Sequence, residues 1–236
     1  MKYTDHIEHY KLDAEYYDFF TYDKFMEQEH RRRYESIFNL LKVKDNENVL
    51  EIGSGAGHAL KHIRTSKYFP LDVSTHNLIK IKSKNDKNVF PASGDIFHLP
   101  FPSNTFDNII LSEVLEHLDD PPAALKEIFR VLKKGGRFLV SVPYKQVITY
   151  QICIHCNKPT PTLAHLHSFD KEKLSNLVKD AGFKIVKSYK FLNKAPHRLH
   201  VYRMLKFLPY SLWKILDSSI TLLLDKPCSI MILGTK

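Results

Sequence analysis

The amino-acid sequence predicts an α/β domain with a mostly parallel β-sheet and helices on both of its faces. Short apolar runs alternate with helical segments from Asn48 onward, and the first of these runs ends in a glycine-rich turn at residues 53–57. Such alternation is typical of βαβ units, in which helices join parallel strands. A chain of 236 residues has the length of one such domain with added segments.

One domain, residues 1–236, is predicted, and two segments that interrupt its α/β alternation are interpreted as insertions. Its N-terminal part contains a predicted helix over residues 12–41, in which the run from Arg31 to Arg33 is interpreted as a solvated face. In order, the segments are the N-terminal helical segment 1–45, the core 46–143, an insertion 144–169, a helix and strand 170–191, a helical insertion 192–226 and the last strand 227–236.

The core elements follow from apolar patterns and from signals at their ends. Asp120 is placed to cap the helix that starts at Pro121, because an aspartate accepts hydrogen bonds from free N–H groups and proline needs none there. A second helix is predicted at 170–181, before Gly182. The predicted strands are 49–52, 68–71, 88–92, 108–111, 137–142, 183–191 and 228–233.

Charge and cysteine content restrict the partners and the compartment. Lys and Arg number 35 against 26 Asp and Glu, a formal charge of +9, which favours nucleic acid, phosphorylated metabolites or a lipid surface. Three cysteines without a disulfide framework indicate a reducing compartment. The first six residues hold no apolar run, so we expect no secretory signal and a cytoplasmic protein. The apolar stretch 211–224 is too short to span a membrane.

The strongest chemical signal is the turn after the first strand, where Glu51 is followed by Gly53, Gly55 and Gly57. Glycines permit a tight turn and let a ligand approach the backbone. His58 stands where a dinucleotide-binding pattern needs glycine, and no Gly-Lys-Ser/Thr follows, so the turn fits neither NAD nor a P-loop. The alternative is a tight turn that binds no ligand.

Asp72 strengthens the interpretation as a nucleotide-type site. It closes the next strand about 20 residues after Glu51, where an acid can accept hydrogen bonds from ribose hydroxyls. Further motifs follow at regular intervals. The full set is Glu51-Ile52-Gly53-Ser54-Gly55-Ala56-Gly57, Leu71-Asp72-Val73-Ser74, Gly94-Asp95-Ile96, the run 99–107 (LPFPSNTFD) and Ser112-Glu113-Val114-Leu115-Glu116-His117-Leu118.

In order and spacing these motifs resemble the class I S-adenosylmethionine (SAM)-dependent methyltransferases, within them the small-molecule group of methyltransferase type 11 and the quinone-biosynthesis enzymes. The resemblance covers residues 45–143 and, more weakly, 170–191. It implies a Rossmann-like fold: a seven-stranded, mostly parallel sheet with helices on both faces and the two insertions on the acceptor side. It also implies an enzyme that transfers a methyl group from SAM to a small or lipid-like acceptor.

The resemblance implies a cofactor role for each matching position. The glycine turn with Ser54 would line the methionine and ribose portion of SAM, and Asp72 would hold the ribose diol. Asp95 would accept from the adenine amino group, for which the alternative, as for Asp72, is a carboxylate that caps a loop or helix start. The implied cofactor-binding residues are Glu51, beside the amino group of SAM, Gly53, Ser54, Gly55, Gly57, Asp72, Val73, Asp95, Ile96 and Ser112.

Glu113 and His117 are the candidate catalytic residues. They lie one helical turn apart and are predicted to share a helix face just after the fourth strand, where the acceptor approaches in the resembling family. A base is needed only if the acceptor is protonated, and His117 is preferred because the ordinary pKa of histidine lies near neutrality. The alternative is a stabilising Glu–His pair or a surface histidine.

The end of the fourth strand argues against a nucleic-acid acceptor. Amino-methyltransferases of nucleic acids in the resembling class carry Asn/Asp-Pro-Pro-Tyr there, whereas this chain has Ser112-Glu113-Val114-Leu115. The later Asp120-Pro121-Pro122 is interpreted as a helix cap. Besides the small-molecule methyltransferase, two alternatives remain: a SAM-binding protein without catalysis and a nucleic-acid methyltransferase, which the absent motif disfavours.

The first insertion holds a candidate metal site. Cys153 and Cys156 have C-x-x-C spacing, and His165 and His167 follow about ten residues later, so the four side chains could bind a structural zinc ion. A subset of the resembling methyltransferases has a similar pair of cysteines followed by His-Leu-x-x-Phe. The alternative is two free thiols and scattered histidines.

The second insertion, 192–226, is basic and apolar, with Trp213 and Lys214 near its centre. Three interpretations stay open: a plain packing helix pair, a lid over a hydrophobic or anionic acceptor, and an interfacial membrane contact. A lipid-like acceptor would suit the second and third together.

Overall fold

The computed structural model describes residues 6–18, 20–21, 24–84, 87–154, 157–198 and 204–236. In these residues the helices are α1 (His6–Tyr16), α2 (Lys24–Leu41), α3 (Thr75–Lys84), α4 (Pro121–Val131), α5 (Lys171–Asp180), α6 (Lys194–Arg198) and α7 (Tyr210–Leu223). The strands are β1 (Asn48–Ile52), β2 (Lys67–Asp72), β3 (Ala92–Ser93), β4 (Phe106–Ser112), β5 (Leu132–Pro143), β6 (Tyr150–Ile152), β7 (Pro159–Pro161), β8 (Lys184–Asn193) and β9 (Pro227–Thr235).

Seven strands of the described chain form one sheet in the order β3-β2-β1-β4-β5-β9-β8. Strands β1 to β5 pair in parallel, and β9 lies antiparallel between β5 and β8. Ile52 is opposite Leu71 and Leu111, so the carboxyl ends of β1, β2 and β4 meet at one edge. The predicted seven-stranded, mostly parallel sheet is confirmed, and this edge is where α/β sheets bind ligands.

Buried apolar side chains cover both faces of the sheet. On one face, α4 and α5 pack Leu125, Ile128 and Leu174 against the strands. On the other, α2, α3 and α7 contribute Ile37, Ile81 and Trp213, among other side chains. Residues of β1 alternate between the faces: Val49 belongs to the second core, whereas Leu50 and Ile52 belong to the first. The same alternation sets the direction of the Glu51 side chain.

The N-terminal segment differs from its prediction. The single helix over 12–41 is wrong, since α1 and α2 are separate helices. The interpretation of the arginine run as a solvated face is wrong for two of its three residues, because Arg32 is 2% and Arg33 is 6% exposed, whereas Arg31 is exposed. Arg32 donates to the carbonyl oxygens of Leu205 at 3.2 Å and Leu208 at 2.8 Å. Helical periodicity could not reveal that a distant segment supplies these acceptors.

Local signals predicted the core better than its boundaries. The predicted cap is confirmed, because Asp120 accepts from the N–H of Ala123 at 3.1 Å and Pro121 starts α4. The segment after the glycine turn is a short 3₁₀ helix, His58–His62. The predicted strand at 88–92 is reduced to β3, preceded by an isolated bridge between Val89 and Tyr68.

Both insertions leave the sheet at the edge where β1, β2 and β4 end, because β8 runs in the same direction as β5. The first forms a hairpin, β6 and β7, and a short 3₁₀ turn at Thr162–Ala164. In the second, α7 packs on α2 and β8, and Asp217 accepts from the N–H groups of Leu192 at 3.0 Å and Asn193 at 3.1 Å. These contacts favour the packing interpretation of α7.

Every helix within the described segments is too short or too polar to pass through a bilayer.

Candidate functional site

A cavity of about 250 Å³ opens at the carboxyl ends of β1 to β4, with α1 forming one of its walls. The turn after β1 supplies backbone, the segments after β2 and β3 supply carboxylates, and the turn after β4 supplies Glu113, Val114 and His117. Its lining residues are His6, Tyr10, Asp13, Ala14, Ile52, Gly53, Gly55, Leu71, Asp72, Val73, Asn77, Gly94, Asp95, Ile96, Glu113, Val114, His117 and Leu118.

Gly53 forms the tightest part of the cavity wall. Its φ of 67° lies in the left-handed region, and a Cβ there would stand 2.6 Å from Cγ2 of Val114. No other residue type fits this position without moving the neighbouring turn. The glycine pattern in the sequence therefore marks a backbone surface kept open toward the cavity.

Asp72 lines the cavity and also organises the turn beside it. Its carboxylate accepts from the N–H of Ser74 at 2.9 Å and from the N–H of Gly55 at 2.9 Å. Burial raises the pKa of Asp72, and these two backbone hydrogen bonds oppose that shift. The two interpretations of Asp72, turn cap and ligand contact, are thus compatible, since a carboxylate has further lone pairs.

Asp95, just after β3, also lines the cavity and accepts a backbone hydrogen bond. It caps a short 3₁₀ turn by accepting from the N–H of Phe97 at 3.1 Å. Nε2 of His6, on α1, lies 3.2 Å from the same carboxylate oxygen. Val73 and Ile96, next to the two aspartates in sequence, add apolar surface to the wall. This part of the cavity therefore combines two carboxylates with apolar side chains.

Glu51 does not line the cavity, although it ends the strand that leads into the glycine turn. Its carboxylate is 1% exposed and accepts from the hydroxyl of Tyr34 at 2.5 Å and from the hydroxyl of Tyr68. Burial raises the pKa of Glu51 to about 7, although both hydrogen bonds oppose this. Contact with the amino group of SAM, as the resemblance implies, stays a prediction.

Three other predicted cofactor residues lie outside the cavity wall. Gly57 lines a second cavity of about 800 Å³ between α2 and the 58–62 turn. Ser54 is buried, and the hydroxyl of Ser112 is 2.9 Å from that of Ser141. Of the ten predicted cofactor residues, those that the structure places in the cavity wall are Gly53, Gly55, Asp72, Val73, Asp95 and Ile96.

Glu113 and His117 both line the cavity, but not as one face of an α-helix. Glu113 has a φ of 56°, and only a 3₁₀ turn follows it at Leu115–His117, so the predicted helical pairing is wrong. The hydroxyl of Ser141 donates to Glu113 at 3.0 Å, and Nη2 of Arg33 is 3.5 Å from its other oxygen. Burial raises the pKa of Glu113, although Arg33 opposes this.

The expectation that the pKa of His117 lies near neutrality, on which its preference as a base depended, is also wrong. Burial, with a smaller contribution from His165, lowers the pKa of His117 to about 4. The imidazole is therefore neutral near pH 7. The ring of His117 stands edge-on to that of His165 with centroids 4.5 Å apart, and to that of Tyr10 at 5.9 Å.

The predicted zinc ligands are only partly brought together. Cys156 lies outside the described residues, and Cys153 is at the tip of the β6–β7 hairpin. Nε2 of His167 donates to the carbonyl oxygen of Leu118 at 2.8 Å. His165 instead approaches Glu116 and His117, and ligand atoms of these three side chains lie within 4.8 Å of one another. The cysteine-based zinc site stays a prediction.

Sequence reasoning missed two parts of the site. The first is the α1 wall, with His6, Tyr10 and Asp13, whose polar pattern gave no sign of a contact with the sheet edge. The second is Glu116, which is 1% exposed beside His117. It stands in the run 112–118, so a buried acid next to a histidine was visible as a signal.

Comparison with known proteins assigns this chain to a family. Residues 22–188 match the family described as Methyltransferase domain. The chain is 29% identical over 165 residues to demethylmenaquinone methyltransferase of Corynebacterium kroppenstedtii, a match that covers 62% of this chain and 72% of that protein. It is also 29% identical over 177 residues to cycloartenol-C-24-methyltransferase 1 of Oryza sativa subsp. japonica, covering 66% and 49%.

A solved structure shares the fold. The SAM-dependent methyltransferase of Mesorhizobium loti superposes with a TM-score of 0.61 and 17% identity, covering 87% of this chain and 98% of that one. At this identity the likeness shows the fold alone. Against three further methyltransferase relatives, the chain spans 41%, 63% and 59% of their lengths.

Proposed function

Because this chain belongs to the family of SAM-dependent methyltransferases, we propose that it transfers a methyl group from SAM to a small or lipid-like acceptor in the cavity at the carboxyl ends of β1 to β4. The observation that carries the proposal is the wall of that cavity. It holds two carboxylates, Asp72 and Asp95, together with apolar side chains, next to a glycine turn in which a Cβ on Gly53 would clash with Val114.

The residues of this cavity fit the chemistry of SAM. Asp72 has lone pairs free to accept from ribose hydroxyls while it holds the turn through Gly55, and Asp95 is an acceptor for the adenine amino group. Val73 and Ile96 offer apolar surface for the ring. At Gly53 no side chain covers the backbone, and the amino-acid portion of SAM would lie there. The donor and acceptor set thus matches hydroxyls, amines and a flat heterocycle.

SAM, when bound, supplies a methyl group on a sulfonium, which leaves as a neutral thioether. The work of the protein is then to align the acceptor and to keep water away. Tyr10 and Leu118 also line the cavity and add apolar surface there. With a pKa of about 4, His117 is a neutral hydrogen-bonding group near pH 7. It is better suited to orient an acceptor than to take up the proton of that acceptor.

An apolar or lipid-like acceptor is supported by the named substrates of two relatives. One relative acts on demethylmenaquinone and another on cycloartenol, a prenylated quinone and a sterol. The cavity wall of this chain includes Leu71, Val114 and Leu118, which suit an apolar acceptor. A nucleic-acid acceptor gains no comparable support from the turn after β4, which is Ser112-Glu113-Val114-Leu115.

Formation of S-adenosylhomocysteine tests the proposal. We would incubate the full chain with SAM and a panel of prenylated quinols, sterols and short phenols, and measure the demethylated product with and without each acceptor. We expect acceptor-dependent product with at least one apolar hydroxylated compound. Tight SAM binding without product across the panel would instead favour a SAM-binding protein that does not catalyse transfer.

A further inference from the structure

Three side chains meet where the wall of the cavity joins the first insertion. Glu116 and His117 lie in the turn after β4, and His165 comes from the insertion. Each offers one ligand atom, and these atoms lie within 4.8 Å of one another. Imidazole and carboxylate groups are a common ligand set for divalent transition metals, and a small movement of the side chains would bring these atoms to the closer spacing of a bound ion. We call Glu116, His117 and His165 the triad.

Backbone hydrogen bonds hold the two halves of the triad together. The carbonyl oxygen of Glu116 accepts from the N–H groups of Leu166 at 2.8 Å and of His167 at 3.1 Å. Nε2 of His167 donates to the carbonyl oxygen of Leu118 at 2.8 Å. Residues 165–167 are therefore fixed beside residues 116–118, and the position of His165 does not depend on a ligand.

Each histidine of the triad has one ring nitrogen occupied and one available. Nδ1 of His117 is 3.3 Å from the carbonyl oxygen of Ala164, and a carbonyl oxygen only accepts, so Nδ1 is the donor. Nδ1 of His165 is 2.6 Å from Oε1 of Gln146. Both Nε2 atoms then carry lone pairs. Histidines that ligate metals are oriented in this way by an acceptor on the other nitrogen.

Glu116 supplies an independent observation. Its side chain is 1% exposed, and neither carboxylate oxygen has a hydrogen-bond partner among the described residues. Oε1 stands 4.0 Å from Nε2 of His117. A buried carboxylate without partners is costly and needs an explanation. A cation between Glu116 and the two Nε2 atoms would provide one.

We propose that the triad binds one divalent transition metal ion, of the kind represented by Zn²⁺, at the wall of the cavity. Three protein ligands leave at least one position open, as in catalytic zinc sites. Of the triad, His117 also lines the cavity, so an ion bound by the triad would lie next to the space in which the acceptor would lie. This distinguishes the site from the structural zinc site predicted from Cys153 and its neighbours.

The site implies an oxygen acceptor, an inference that rests on the proposed function. A hydroxyl group bound to the ion would lose its proton to water more readily, because a metal ion lowers the pKa of a bound hydroxyl. Transfer would then form the bond between this oxygen and the methyl carbon and break the bond between that carbon and sulfur, leaving the electron pair on sulfur. No further reactant is needed.

Metal titration of the full chain tests the proposal. Chelator-treated protein would be titrated with Zn²⁺ by calorimetry and with Co²⁺ by visible absorption. We expect one ion per chain, with affinity reduced about tenfold or more in Glu116→Gln and in His165→Ala. His76→Ala is the matched control, because His76 is an exposed histidine on α3, and it should bind both ions like wild type.

Two results with the variants would overturn the proposal, as would SAM binding without metal binding by the wild-type chain. The first is unchanged metal binding by folded Glu116→Gln, a variant that keeps the shape of the side chain. The second is loss of binding in Cys153→Ser with retention in Glu116→Gln and His165→Ala, which would assign the ion to the cysteine hairpin. SAM is titrated into the same samples, since SAM binding without metal binding refutes the metal site alone, and absence of SAM binding refutes the proposed function.

Discussion

The two ends of the cavity are built in opposite ways. At the end proposed for SAM, the cofactor end (residues 53–57, Asp72 and Asp95), the left-handed backbone positions are glycines, among them Gly53 with a φ of 67°, and Asp72 is satisfied by backbone N–H groups. At the end proposed for the acceptor, the acceptor end (residues 113–118 and the adjoining residues 163–165), Glu113, Leu163 and Ala164 have positive φ without being glycine. The first end is relaxed before any ligand arrives, whereas the second stores strain, at about 1–3 kcal/mol per residue.

The difference extends to polar groups. The carboxylates of Asp72 and Asp95 at the cofactor end have hydrogen-bond donors, whereas Glu116 at the acceptor end has none among the described residues. Strain and unsatisfied groups are typical of sites that gain their partners from a ligand. We therefore expect SAM to bind to a surface that is already formed, and the acceptor end to gain its missing hydrogen-bond partner from what binds there.

The largest expected effect is at Gly53. In Gly53→Ala, the new Cβ would meet Val114 at 2.6 Å with the backbone at a φ of 67°, so we expect a loss of about 2–4 kcal/mol in unfolding free energy and loss of SAM binding. Gly135→Ala is the control, because its φ is 75° with nothing within 4 Å. It should lose only about 1–2 kcal/mol, and equal losses in both variants would contradict the clash.

A pH effect is expected at Glu51, which is buried outside the cavity between Tyr34 and Tyr68. Its folded-state pKa, raised to about 7 by burial, means that the folded protein holds this proton more tightly than the unfolded chain. Its contribution is present in full below about pH 4.5 and is lost as the pH rises through 7, by up to about 3 kcal/mol. Urea unfolding between pH 5 and 8 should show a flatter pH dependence in Glu51→Gln than in wild type.

Glu172→Gln is the control for this pH experiment, since Glu172 is exposed on α5. It should follow the wild-type curve across the whole range. An unchanged slope in Glu51→Gln would mean that Glu51 is ionised in the folded protein throughout.

Relief of strain at the acceptor end should give the smallest effect. Leu163 is 68% exposed with a φ of 62°, so Leu163→Gly removes a steric cost and little buried surface. We expect unfolding free energy to rise by about 0.5–1 kcal/mol. Val147→Gly, at an 80% exposed position of the same insertion, should not be stabilised, and a destabilised Leu163→Gly would refute the strain.

The cofactor end could be predicted from the sequence because its contacts are local. Asp72 meets Gly55 and Ser74, all within one βαβ unit whose pattern is visible in the chain. The direction of Glu51 follows from alternation along β1, which turns it with Val49 toward the second core rather than with Ile52 toward the cavity. That orientation depends on which face each strand residue takes, which the motif alone does not state.

The acceptor end could not be predicted because its contacts join distant segments. His165 reaches His117 across the insertion. Two contacts elsewhere have the same character: α1 reaches Asp95 through His6, and Arg32 is buried by carbonyl oxygens of the second insertion. No periodicity records such pairs, so Arg32 was assigned to solvent, His117 to a helix face and His165 to a zinc site with the cysteines.

Calorimetric titration with SAM and, separately, NADH tests the central claim most directly. Wild-type protein, Asp72→Ala and the surface control Asp180→Ala, on α5, would be compared. We predict that SAM binds and NADH does not, that Asp72→Ala weakens SAM binding about tenfold or more through its lost charged acceptor, and that Asp180→Ala behaves like wild type. The account would be contradicted if folded wild-type protein failed to bind SAM. It would also be contradicted if Asp72→Ala bound SAM as tightly as wild type.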